Sequence, residues 1–383
     1  MKQSGAFEYL QRVDAQGIDA ILARWQAAHP RLGICALLPE AEKETLPILQ
    51  AACRNRSLPL VGAIFPALLE GGQFRTAGVW LMCFAQMPHY LLLDALPVEP
   101  DAVAERIREA SGTLVKHLNG TEEATLFMLF DAMQPNIGSI LDEFYLNLAN
   151  RVHYAGVNAG SETFQPMPCL FDSERVIGNG VLLILIPDHK GAVLEHGYHA
   201  PARTVYATST EGNRISQIDW RPAFEVYQEL VRDQYGVEID KDNFYEHAVH
   251  FPFGIVRANH HVVVRIPVVL NDDGSLFCVG EVPANSVLTL LERPEVDTHE
   301  TLRVLMNGLQ AMGGKPSDDL LLFYCAGRRM HLGLELATAE LQEFGARTMP
   351  AHIAGALSLG EIGGSTLHGY PLFHNATLVA ARW

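Results

Sequence analysis

Leu320-Leu321-Leu322-Phe323-Tyr324-Cys325, then Ala326-Gly327-Arg328-Arg329 and a long helical stretch, then Ile353-Ala354-Gly355-Ala356-Leu357 decide how this chain is read. An apolar strand, a helix and a second apolar strand in that order predict a parallel pair joined by a crossover. Leu378-Val379-Ala380 closes the unit. The same order occurs twice upstream. Residues 32–38 are apolar, 42–54 have helical periodicity, and 60–65 and 79–84 are apolar again. Further on, 126–130, a helical 137–150, 154–158 and 181–186 repeat the series. In each unit the strand after the helix carries an apolar residue followed by glycine: Val61-Gly62, Ala155-Gly156 and Ala354-Gly355. Glycine inside a strand marks a bulge or a close backbone approach.

Between the second and third units the pattern changes to hairpins. Residues 262–270 and 276–279 flank the turn Asn271-Asp272-Asp273-Gly274, and 204–218 fold back around Glu211-Gly212-Asn213. A helix is expected from Pro222, with Ala223, Val226, Tyr227, Leu230 and Val231 on one face. The expected class is α/β, of mixed α+β character, with parallel and antiparallel pairing in the same sheets. A domain boundary is expected at 217–222, dividing the chain into 1–220 and 221–383.

With 383 residues, 48% of them apolar and 19% charged, the chain can build more than one packed core. Its net charge of −16 argues against nucleic acid and anionic membrane surfaces as partners. The first residues lack a signal-peptide pattern. The apolar run Val181-Leu182-Leu183-Ile184-Leu185-Ile186 is far short of the roughly 20 residues that span a bilayer. A cytoplasmic protein is the expectation. Six cysteines, at 35, 53, 83, 169, 278 and 325, form no Cys-x-x-Cys pair and are expected to be reduced core thiols.

Chemistry-bearing residues gather near the C-terminus. Cys325, Arg328 and Arg329 follow one strand, Gly360-Glu361-Ile362-Gly363 ends another, and His374-Asn375-Ala376-Thr377 precedes the last. Strand ends in α/β sheets are common ligand sites. Arg328 and Arg329, at a helix start, suit a ligand carboxylate, with a solvated helix cap as the structural alternative, and for Glu361 the alternative to a ligand contact is an ion pair with Arg328. His374 suits a metal or a hydrogen-bonded ligand, or else it pins the final strand. Of the sixteen histidines, His196 with His199 and His247 with His250 stand in stretches that read as extended, where an i,i+3 pair points to opposite faces. No Gly-x-Ser-x-Gly elbow occurs, so a hydrolase nucleophile is not expected. A Cys325–His374 nucleophile–base pair is the only enzymatic reading.

These residues resemble the FIST family of bacterial sensory proteins. The similarity rests on Cys325-Ala326-Gly327-Arg328-Arg329, Gly360-Glu361-Ile362-Gly363 and His374-Asn375-Ala376-Thr377-Leu378. The strand end at 156–160, the hairpin at 204–218, the helix start at Pro222 and the turn at 271–274 add to it. One departure is Gly62-Ala63-Ile64-Phe65-Pro66-Ala67-Leu68-Leu69-Glu70, where relatives carry small polar residues. The resemblance implies two FIST domains and a non-enzymatic sensor of small ligands.

Stand-alone members of this length resemble nitric-oxide-sensing haem proteins. That implies haem b on a histidine: His374, His368, His199 or His331. Arg328, Glu361, Asn375 and Cys325 would line the cofactor site. The signal would pass to a separate histidine kinase, or to a diguanylate cyclase or phosphodiesterase. A haem-free sensor of an amino-acid-like ligand is the alternative. The sequence leaves the oligomeric state open, a homodimer included.

Overall fold

The structure is a computed structural model and describes residues 7–118, 123–258, 261–315, 318–348, 352–364 and 369–383. The first unit runs β1 (Phe7–Leu10), α1 (Ala15–Ala28), β2 (Gly33–Pro39), α2 (Leu46–Asn55), β3 (Leu60–Phe65), β4 (Leu68–Glu70), β5 (Gln73–Arg75) and β6 (Val79–Phe84). The second runs β7 (His89–Leu93), α3 (Pro100–Val115), β8 (Ala124–Asp131), α4 (Ile137–Leu148), β9 (His153–Ala159), β10 (Leu170–Asp172), β11 (Val176–Ile177) and β12 (Val181–Pro187). The third opens with β13 (Val193–Glu195) and is then interrupted by an insertion.

That insertion holds β14 (Val205–Glu211), β15 (Arg214–Ile218), β16 (Arg221–Pro222), α5 (Ala223–Tyr235), α6 (Phe244–His247), β17 (Phe253–Val256), β18 (Val262–Arg265), β19 (Pro267–Leu270), β20 (Leu276–Cys278) and β21 (Val287–Leu290). Its strands form an antiparallel sheet of their own. The third unit then resumes with α7 (Glu300–Ala311), β22 (Leu320–Cys325), α8 (Ala326–Leu332), α9 (Leu334–Thr348), β23 (Ile353–Ser358), β24 (Glu361–Gly363), β25 (Leu372–His374) and β26 (Leu378–Arg382).

The three remaining sheets share one plan. Their strand orders are β1-β6-β2-β3-β10-β11, β7-β12-β8-β9-β24-β25 and β13-β26-β22-β23-β4-β5. In each, the central strand pairs parallel with the strand after its helix and antiparallel with the unit's last strand. The hairpin that follows is given away. Unit one donates β4 and β5 to unit three, unit three donates β24 and β25 to unit two, and unit two donates β10 and β11 to unit one.

The repeated glycine has one physical cause in all three units. A Cβ on Gly62, Gly156 or Gly355 would lie 2.1, 2.2 or 1.6 Å from the carbonyl oxygen of Ala36, Met128 or Leu322, the residue beside it in the parallel pair. Side chains at these positions would force the backbones apart. The units share a core in which Phe65 packs on Phe323 at 5.6 Å between ring centres and Phe127 on Phe323 at 6.0 Å.

Several expectations need correction. Residues 40–45 form a tight 3₁₀ turn, and the first crossover helix begins only at Leu46. His247 and His250 lie in a short helix and a 3₁₀ turn rather than in extended chain. The segment 217–222 is the pair β15–β16, inside the inserted sheet, and β13 belongs to unit three. Sheet pairing crosses residue 220, since β13 pairs with β26 and β9 with β24. The apolar stretch from Gly62 packs inward. Ala63, Phe65, Leu68 and Leu69 are buried in the core and in the donated strand. All six cysteines are free and buried, as expected.

Candidate functional site

Strand β22 delivers Cys325 to the start of α8, so Arg328 falls one turn into that helix and is wholly buried. It does not pair with Glu361. The guanidinium grips Glu340 of α9 in a two-pronged ion pair, Nε to Oε2 at 2.8 Å and Nη2 to Oε1 at 2.6 Å. The Tyr324 hydroxyl donates to Oε2 at 2.7 Å, and Arg328 Nη1 donates to the His196 carbonyl at 2.6 Å. A fork filled this way has no arm left for a ligand carboxylate. Glu340 was missed in the sequence because it sits among Ala337, Leu341 and Phe344 on the buried face of a helix read only for its apolar period.

Glu361 lies beyond Gly360, whose φ of +150° suits only glycine. Its carboxyl accepts from the Ser358 hydroxyl at 2.6 Å and from the Thr377 hydroxyl at 2.6 Å. Burial pushes its pKa up to about 7, against the hydroxyl bonds, which pull it down. Cys325 accepts from the Ala376 N–H at 3.1 Å, and burial drives its pKa far upward. A thiol held protonated in this way is a poor nucleophile.

His374 faces Glu361 across the β24–β25 ladder. It has no exposed surface, and neither ring nitrogen has a hydrogen-bond partner. Its ring stands edge-on to His261 at 5.4 Å. Burial, then His261, His196, Arg265 and Arg257, hold its pKa well below the ordinary value, so the ring is neutral. Asn158, at the end of β9, is also buried with its Oδ1 unpartnered, while its N–H donates to the Gly360 carbonyl at 2.8 Å. Asn375 ties the region to the insertion, its Oδ1 accepting from the Ile266 N–H at 3.3 Å.

Arg265 approaches from the insertion. It donates to the carbonyls of Phe373 at 2.8 Å, Val264 at 3.0 Å and Glu281 at 2.9 Å, with its guanidinium over the Phe373 ring. Burial pulls its pKa down to about 10, so it remains a cation at neutral pH.

Cys325, Glu361, His374 and Asn375 thus lie close together, with Arg328 beside them but engaged. Of the other candidate iron ligands, His331 and His199 do not join them. His331 is buried against Tyr198, whose hydroxyl lies 2.6 Å from Nδ1, and burial takes its pKa down to about 3. His199 is exposed in an isolated bridge to Glu292. His368 lies outside the described residues. Among the described residues, no group of three or more His, Cys, Asp or Glu side chains is arranged to hold a metal ion.

Residues 32–221 match the FIST N domain and residues 223–364 match the FIST C domain. The chain belongs to the FIST family. FIST domains are sensory domains of signal transduction. No curated protein matches this FIST chain. Among its described residues no helix is long and apolar enough to cross a membrane.

Proposed function

We propose that this FIST protein senses a small polar ligand at the Glu361–His374 pair and passes its occupancy to a separate protein. The observation that supports this reading is His374, fully buried with two unpartnered ring nitrogens. Leaving buried polar atoms unsatisfied costs roughly 1–3 kcal/mol, and a ligand that bonds the imidazole removes that cost. The site is closed, so binding requires the elements around His374 to part. That coupling turns occupancy into a conformational signal. A histidine kinase or a cyclic-di-GMP enzyme is the proposed receiver.

Thermal-shift measurements of the full chain against amino acids and other small polar metabolites test this. A ligand that raises the melting temperature of the parent protein, and fails to do so in His374→Leu, supports the reading. Stabilisation that survives in that variant refutes it.

A haem-bound, nitric-oxide-responsive form is a second reading, favoured by the neutral, unpartnered imidazole. His374 would be the iron ligand, and the haem would supply gas binding. Arg328, locked to Glu340, does not serve as a propionate partner. Protein reconstituted with haem should show a Soret band that moves in His374→Leu. Absence of the band ends this second reading and leaves the first untouched.

A further inference from the structure

Helices α8 and α9 meet at a corner whose apolar surface the core does not use. Gly333 turns the chain there with a φ of +79°, and Met330, Leu334 and Leu336 leave 53%, 65% and 39% of their surface exposed. The corner is held firmly, because the buried Arg328–Glu340 ion pair ties one helix to the other beneath it. Large apolar side chains gathered at one surface corner mark an interaction site.

A groove of about 200 Å³ opens beside this corner. Pro294, Val296, Leu332 and Leu336 give it an apolar wall, and Arg293, Glu295 and Asp297 border it. Its volume is below the range of small-molecule pockets but admits an aliphatic side chain. Leu336 belongs to both features, so the protruding Leu334 and the groove lie side by side. A projection next to a recess is what a two-fold contact requires, because such a surface must accept itself. The charges fit the same pairing. Arg293 at the groove and Glu335 at the corner are both exposed, and neither has an ion-pair partner among the described residues. A partner of one charge sign would repel one of these groups, whereas a second copy satisfies both.

We infer that two copies of this chain pair through the α8–α9 corner about a two-fold axis. Leu334 of each copy seats in the groove of the other, and Arg293 of each faces Glu335 of the other across the rim. This contact does not depend on the ligand proposed at His374.

Analytical ultracentrifugation of the full chain tests this at roughly 0.15 M salt, where repulsion between the two net charges is screened beyond about 8 Å. The parent protein should sediment as a concentration-dependent dimer. Leu334→Asp puts an acid in the first turn of α9, where the helix dipole favours it, so the fold is kept while the contact is lost. Its dimer dissociation constant should rise about tenfold or more, the worth of one interface anchor. Arg293→Glu and Glu335→Arg should each weaken association several-fold, and the two together in one chain should recover it. A monomer at every concentration, even one whose corner binds a different protein, overturns the inference. So does a dimer that Leu334→Asp leaves intact, or a double reversal without recovery. Circular dichroism of each variant confirms that the fold is retained.

Discussion

At the scale of single residues, the Arg328–Glu340 pair and the Glu361–His374 pair make opposite kinds of demand. Arg328 has no exposed surface, so Glu340→Ala would strand a cation in the core. Removing one partner of a buried pair costs about 3–5 kcal/mol. Urea denaturation should show a loss of that size, and the double replacement Arg328→Met with Glu340→Leu should recover much of it. Glu361 gives a pH signature. Its folded pKa of about 7 lies above its ordinary value of 4.5, so the folded state holds the proton more tightly. Its contribution is complete below pH 4.5 and is lost as pH rises through about 7, on the order of 3 kcal/mol. His374 has the opposite sign, because its folded pKa is depressed and its contribution is lost as pH falls below 6.5. Chemical denaturation between pH 4.5 and 7 should show Glu361→Gln gaining relative stability on the alkaline side. His374→Leu should gain on the acid side. The gathering of Cys325, Glu361, His374 and Asn375 was legible because each follows or ends a strand. The partner of Arg328 was not, since an acidic residue inside a helix gives no sign of which cation it meets.

Among the elements, the strand–helix–strand series was readable from apolar periodicity, and the glycine in each second strand pointed to a close approach. Gly355→Ala should be the most damaging of the three equivalent changes, because its added Cβ would meet Leu322 O at 1.6 Å. Overpacking of this kind costs roughly 1–3 kcal/mol, and a lowered urea midpoint measures it. What periodicity hid were interruptions set by tertiary partners. The expected strand at 262–270 breaks at Ile266, whose N–H donates to the Asn375 side chain while its carbonyl accepts from Val279. His247 and His250 were misplaced because a helical turn of four residues is too short to show a period.

For the whole molecule, three similar units were visible in the sequence, but the exchange of hairpins among them was not. Sheet partners distant in sequence leave no mark on local pattern. A fragment of residues 1–220 lacks β24, the partner of β9, and β26, the partner of β13. An uncovered apolar strand edge promotes aggregation. Gel filtration and circular dichroism should find this fragment aggregated or poorly packed, whereas the full chain should unfold in one transition. A stable, monomeric fragment would show that the units stand alone.

The circular gift of hairpins also bears on how a message could travel. His374 sits on β25, a strand that chain connectivity assigns to unit three but hydrogen bonding assigns to unit two. Unit two in turn reaches into unit one through β10. A ligand that tugs on this one strand therefore pulls two neighbours at once, as a knot tightens from any of its ends. Nothing resembling a hinge is required for distant surfaces to feel the event.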